Sequence, residues 1–289
     1  MSILRAIRSV WETDPRVDPN PLVYTILAVG AILYPFWAEI SSGGSGDFAI
    51  TVAADAGVYI LLAIGLNVVI GFAGLLDLGY AAFFAIGAYT YAFLASEHLA
   101  STPLQTAVHL PFWIVLFIAL FVAAAFGLVL GAPTLRLRGD YLAIVTLGFG
   151  EIIRVVVLNI DAIGGARGMP NIPAMSSFGW VYGILVLTLF VVWRLIHSRQ
   201  GREFLAVRED EIAAEAMGVN TTSAKVRAFA TGAFFAGVSG ALFAHYLRYL
   251  NPQTFDFNRS FEVIIMVVLG GLGSLTGSVV AAVFLTVLK

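Results

Sequence analysis

The chain has 289 residues, of which 60% are hydrophobic and 12% charged, with no cysteine and a formal net charge of -2. Soluble domains carry about 25% charged residues, so this composition excludes an ordinary soluble globule. The missing cysteines exclude disulfide frameworks and thiolate chemistry, and nothing in the charge points to nucleic acid.

Residues 1–20 (MSILRAIRSVWETDPRVDPN) are amphipathic and charged. They lack the apolar core and small-residue cleavage site of a signal peptide and read as a retained cytoplasmic N-terminal segment. Apolar runs follow at Pro21–Ala38, Ile50–Gly71, Tyr80–Ala95, Pro111–Gly131, Tyr141–Ile160, Phe178–Ile196, Val226–Leu247 and Phe261–Leu288. Several approach the ~20 residues that cross a bilayer as a helix. In hydrocarbon every backbone polar group must be satisfied internally, and the alternation of a membrane barrel is absent. The expected fold is therefore an all-α polytopic membrane protein, one integral domain over residues 1–289 with about eight transmembrane helices.

Basic residues set the orientation, because cytoplasmic loops are enriched in Lys and Arg. With the N-terminus inside, Arg5, Arg8, Arg16, Arg136, Arg138 and the six basic residues between Arg194 and Arg227 fall in the cytoplasm. The outer segments 39–47 and 96–110 then contain no Lys or Arg, and only Arg167, Arg248 and Arg259 lie outside.

Eleven charged side chains are concentrated between Arg194 and Arg227. Within the loop 198–224, Glu209 or Asp210 suits a helix N-cap, where carboxylates are favoured by the positive helix end. Ile212, Ala213, Ala216 and Met217 then fall on or near one face. Gly218 suits the helix C′ position, and residues 220–223 (NTTS) offer a cap for the next span. The loop reads as one short helix along the cytoplasmic face, over Glu209–Gly218, with an apolar side fit for a docking partner. A solvated linker is the alternative.

Two apolar segments are interrupted by glycine: one at Gly71, Gly74 and Gly79, the other at Gly270, Gly271, Gly273 and Gly277. Broken helices in the two halves of a transporter point to a solute site, because freed backbone dipoles meet a charged ligand. Close helix packing by small residues, or a plain turn, is the other reading. Charges within spans need a partner or a task. Glu151 and Arg154, three residues apart on one helix, are expected to pair with each other or with a neighbour, or else to guide a charged solute. Asp77 lies in the first Gly-rich break as a cap, a turn residue or part of the pathway. The Gly-rich run 164–168 is expected on the outer face, and His98, His109, His197 and His245 lack metal-ligand spacing. No cofactor or metal site is expected.

Ile212-Ala213-Ala214, followed after three residues by Gly218, resembles the EAA-x3-G coupling loop of ABC importer permeases. Ile212 stands where that motif has Glu, with Glu211 one position earlier. The wider string REDEIAAEAMGVN, together with GLNVVIGFAGLLDLGYAAFFAIGAYT, LRLRGDYLAIVTLGFGEIIRVVVLN and VVLGGLGSLTGSVVAA, is similar to the branched-chain amino acid permease family, in its LivM-type branch. The resemblance implies a permease subunit of an ATP-driven importer for branched-chain or related hydrophobic amino acids, in a prokaryotic cell (inner) membrane. It further implies a second, LivH-type permease, two cytoplasmic ATP-binding subunits and an extracytoplasmic substrate-binding protein. ATPase coupling would fall on Glu209, Asp210, Glu211, Ala213, Ala214 and Gly218. The chain itself has no P-loop, and its only lysines are Lys225 and Lys289, so it is not expected to be an enzyme. An ABC permease for urea or another amide is the nearer alternative. An ion-coupled secondary transporter using Asp77 and Glu151 is the more distant one.

Overall fold

The computed structural model describes residues 46–95, 111–134, 140–173 and 178–288. The N-terminal segment 1–20 and the span at Pro21–Ala38 lie outside the described residues. Ten α-helices account for most of what is described: α1 Gly46–Asn67, α2 Tyr80–Ala95, α3 Phe112–Thr134, α4 Asp140–Asn159, α5 Phe178–Ile196, α6 Arg199–Glu209, α7 Glu211–Ala216, α8 Thr221–Leu247, α9 Phe257–Gly270 and α10 Leu275–Leu288. Among the described residues, Met169 and Leu250 form an isolated antiparallel bridge in place of any sheet. Among the described residues five helices are long and apolar enough to cross a membrane: α1 with its continuation to Phe72, α3, α4, α5 and α8.

The core is formed by α8 with α1, α2 and α3 around it. Small residues set the spacing. A Cβ added to Gly87 of α2 would come within 2.5 Å of the Gly237 Cα, and one added to Gly237 within 2.6 Å of the Ala123 Cβ. Membrane helices use such contacts because lipid supplies no hydrophobic drive for helices to associate, leaving close van der Waals packing to hold them. Aromatic rings close the end away from α6 and α7, where Tyr91 meets Phe112 and His245 edge to face and its hydroxyl lies 2.9 Å from His245 Nδ1. His245 is thus a buried packing residue, as a histidine at the end of a span should be when its ring nitrogen has a partner. By contrast α4 leaves Ile144, Val145, Ile152, Val155 and Val156 exposed, and α3 presents an apolar groove of about 460 Å³ lined by Ile114, Phe117, Ile118, Phe121, Val122 and Ala125. These faces suit lipid or another helix.

Two expectations need correction. The apolar run at Phe261–Leu288 is not one span: α9 and α10, each 14 residues long, form a tight hairpin around Gly271–Ser274. At ~1.5 Å per residue each is about 21 Å long, short of the ~30 Å hydrocarbon core. The cause is backbone contact, since a Cβ on Gly270 would lie 2.5 Å from the Gly277 carbonyl oxygen and so the two helices touch. Likewise, the charged loop is two helices, α6 and α7, rather than one. Asp210 has an extended backbone (φ -157°, ψ 110°) that ends α6 and starts α7.

Candidate functional site

The first Gly-rich break begins where α1 ends. Its helix widens into a single π-turn at Val68–Phe72 and then stops, with Gly74 at φ +69°. The chain turns back through residues 73–79 to start α2 inside the bundle. Gly79 lies against the seventh residue of α4, with no room for a Cβ between it and the Thr146 carbonyl. Thr146 Oγ1 accepts from the Leu78 amide at 3.1 Å, and Ser260 Oγ of α9 accepts from the Ala81 amide at 2.9 Å. Two of the early amides around the start of α2, which have no partner within the helix, are thereby met by other elements. α9 is entered in a related way but runs in the opposite direction. A 3-10 turn at Pro252–Phe255 tucks Phe255 against Phe84, Tyr89 and Phe243, and Asp256 then caps α9 through the Arg259 amide. Two half-length helices of opposite sense thus begin near each other in the interior, the arrangement that places solute sites in transporters.

Asp77 sits at this junction, fully buried. Its Oδ1 accepts from the Gly79 amide at 2.9 Å, as an Asx turn does, while its Oδ2 meets no hydrogen-bond partner. Buried carboxylate oxygens are seldom left so. Glu151 and Arg154 pair with each other on α4, with Nε and Nη2 of the arginine 2.9 and 2.8 Å from Glu151 Oε2. Both are partly exposed on a helix that also exposes the aliphatic side chains of Ile144, Val145, Ile152, Val155 and Val156.

The glycines of the two breaks come together at the end of the bundle that carries α6 and α7. Asn67, fully buried in the last turn of α1, donates to the Ser274 carbonyl at 3.0 Å and to Ser278 Oγ at 3.1 Å, and accepts from the Gly273 amide at 2.9 Å. Arg208 of α6 donates to the Gly71 carbonyl at 2.6 Å. Neither residue stood out in the sequence reading. Asn67 carried a usable signal as a lone amide in an apolar run, whereas Arg208 looked like one of many charges in the loop.

The charged helices are fastened to the base of α8. Lys225, buried at 4% exposure, donates to Glu211 at 2.6 Å, and Arg227 donates to Glu203 at 2.7 Å. The hydrogen bond from Arg227 holds the Glu203 carboxyl below its ordinary value, with Arg199 contributing. Asp210 caps α7, its Oδ1 accepting from the Ile212 and Ala213 amides at 2.9 and 3.0 Å. Gly218 adopts φ +85° in open space, and Asn220 caps α8 through the Ser223 amide. Of the expected loop residues, Glu209, Asp210, Ala213 and Gly218 are exposed, Glu211 is half-buried and Ala214 is buried against the core. Ile212 and Met217 are 69% and 85% exposed, an apolar ridge on a helix otherwise surrounded by charge. On the opposite end the run 164–168 contains a 3-10 turn at Gly165–Arg167, preceded by another at Asp161–Ile163, with Tyr249 donating to the Arg167 carbonyl.

A bundle of apolar helices, two broken elements of opposite sense and an external pair of helices tied to the breaks define an integral membrane permease. Residues 48–289 match the family described as branched-chain amino acid transport system / permease component, and the chain belongs to that family. It is 41% identical to the high-affinity branched-chain amino acid transport system permease protein LivM of Salmonella typhimurium, over 95% of this chain and 69% of that protein. The corresponding LivM of Escherichia coli K12 is 40% identical, over 94% and 69%. The permease protein LivH of Salmonella typhimurium is 24% identical over 79% of this chain and 80% of that protein. No solved structure matches. The chain is thus a multi-pass membrane permease component.

Proposed function

We propose that this chain is one of two permease subunits of an ATP-driven importer that moves branched-chain or related hydrophobic amino acids into the cell. The second permease is a LivH-type chain. Two cytoplasmic ATP-binding subunits dock on α7, and an extracytoplasmic binding protein delivers the solute to the opposite end. The whole chain serves as one permease domain in the cell (inner) membrane, with residues 1–20 and the loop 198–224 in the cytoplasm.

The observation that carries this reading is the exposed ridge of Ile212 and Met217 on a helix capped by Asp210 and ion-paired through Glu211 to the base of α8. An isolated six-residue helix is not stable in water, so its rigid fixing with an apolar side outward supports a docking role for Glu209, Asp210, Glu211, Ala213, Ala214 and Gly218. The pathway is assigned to the interior junction and the two breaks, at Gly71, Gly74, Asp77, Gly79, Gly270, Gly271 and Gly273, with Glu151 and its partner Arg154 on the neighbouring α4. The unpartnered oxygen of buried Asp77 supports this assignment. Backbone dipoles freed at the breaks suit the charged end of a zwitterion, and the surrounding Phe and Leu side chains suit its tail. Alternating access follows when ATPase closure displaces α6 and α7 and rocks the spans attached to them.

The test is uptake of labelled leucine into proteoliposomes holding this chain, the second permease, the ATPases and the binding protein. Uptake that requires ATP and is lost with Gly218→Trp supports both cargo and coupling. Uptake driven by an ion gradient without ATPases overturns the reading. ATP-coupled uptake of an amide such as urea, with none of leucine, overturns the cargo alone.

A further inference from the structure

We propose that Arg208 is the positioning residue that links the docking helix to both helix breaks, so that movement of α7 is delivered to α1 and to the α9–α10 hairpin through this one side chain. The inference rests on the docking reading above.

Arg208 occupies the last turn of α6, two residues before the Asp210 cap that starts α7. Its guanidinium donates to the Gly71 carbonyl at 2.6 Å. Carbonyls at the end of a helix lack intrahelical partners and carry the negative end of its dipole, so a cation there is well placed. Its stem lies on the first break: a Cβ on Gly74 would lie 3.0 Å from Arg208 Cγ and 3.2 Å from its Cα. Its Nη1 also reaches the second break, where a Cβ on Gly273 would lie 2.9 Å away. Two glycines, both at positive φ (+69° at Gly74 and +83° at Gly273), leave the space this one arginine fills. Asn67 joins the same two breaks from the other side through Gly273 and Ser274. Two ion pairs of α6 and α7, Glu203 with Arg227 and Glu211 with Lys225, lead to α8. Arg208 therefore supplies a side-chain hydrogen bond that crosses from the docking element to the broken segments.

The link is tested in the reconstituted complex with Arg208→Ala, Arg208→Lys and Gly218→Trp, reading ATPase co-purification, ATP hydrolysis and leucine taken up per ATP. The thermal stability of each purified complex is measured alongside. Arg208→Ala is expected to keep the ATPases bound and hydrolysing, while uptake per ATP falls about tenfold, the scale of one hydrogen bond to a charged group. Arg208→Lys, which retains a donor for the Gly71 carbonyl, recovers most of that ratio. An unchanged ratio in Arg208→Ala, a lysine variant no better than alanine, or loss of the bound ATPases with Arg208→Ala each overturns the proposal. Gly218→Trp separates the two readings. If that variant still binds the ATPases, the docking reading falls and this inference with it. If it releases them while Arg208→Ala couples normally, only this inference falls.

Discussion

Replacing Asn67 with leucine keeps a side chain of similar size and removes three hydrogen bonds at once. Its amide nitrogen serves the Ser274 carbonyl and Ser278 Oγ, and its oxygen serves the Gly273 amide. Each bond contributes about 1 kcal/mol net, and the partners left behind lie in a region with little water, so Asn67→Leu should cost about 3 kcal/mol. The loss is read by equilibrium unfolding in mixed detergent micelles, followed by the fluorescence of the five tryptophans. A double-mutant cycle sharpens it. Ser278→Ala removes one of the three partners, so the double variant should be less destabilised than the sum of the singles by about 1 kcal/mol. A loss well below about 1 kcal/mol for Asn67→Leu, or strict additivity with Ser278→Ala, would refute the claim that this amide stitches α1 to the α9–α10 turn.

Lys225→Met leaves the Glu211 carboxylate half-buried without its cation, and breaking such a pair costs about 3–5 kcal/mol; adding Glu211→Gln should return part of it in the same unfolding assay. Gly87→Val drives a branched side chain into the Gly237 backbone, where overpacking costs typically ~1–3 kcal/mol, and the folded yield from membranes should drop accordingly. The Glu203 carboxyl is held below its ordinary value chiefly by the Arg227 hydrogen bond. Its contribution is present above the ordinary glutamate range and is lost as pH falls through the lowered value. Arg227→Gln should therefore narrow the difference in stability between neutral and acidic pH, and an unchanged difference would exclude this pair as its source.

Much of the fold was legible because its signals are local. Hydrophobic run length located the spans at Ile50–Gly71, Pro111–Gly131, Tyr141–Ile160 and Phe178–Ile196 close to α1, α3, α4 and α5. The caps at Asp210 and Asn220 were also readable, since a cap needs only the residue and the amides that follow it. What escaped the sequence depends on distant partners. Arg208 and Gly71 are 137 residues apart, and Asn67 and Gly273 are 206 apart. Nothing in either neighbourhood announces the other. The glycines at 270, 271, 273 and 277 marked a break in the last apolar run, but its closing into a hairpin rests on the backbone contact of Gly270 with Gly277, to which run length is blind. Lys225 shows how composition misleads. It read as one more cytoplasmic positive charge, yet the fold buries it with Glu211 as the anchor of α7.

The chain contains no cysteine, so Met217→Cys at the 85%-exposed tip of the apolar ridge gives a single thiol for the most direct test. In the assembled importer, a short thiol-specific cross-linker at position 217 is expected to capture the ATP-binding subunit, and ATP should alter its yield. An importer that takes up leucine at the expense of ATP while position 217 never cross-links to the ATPase would contradict the account.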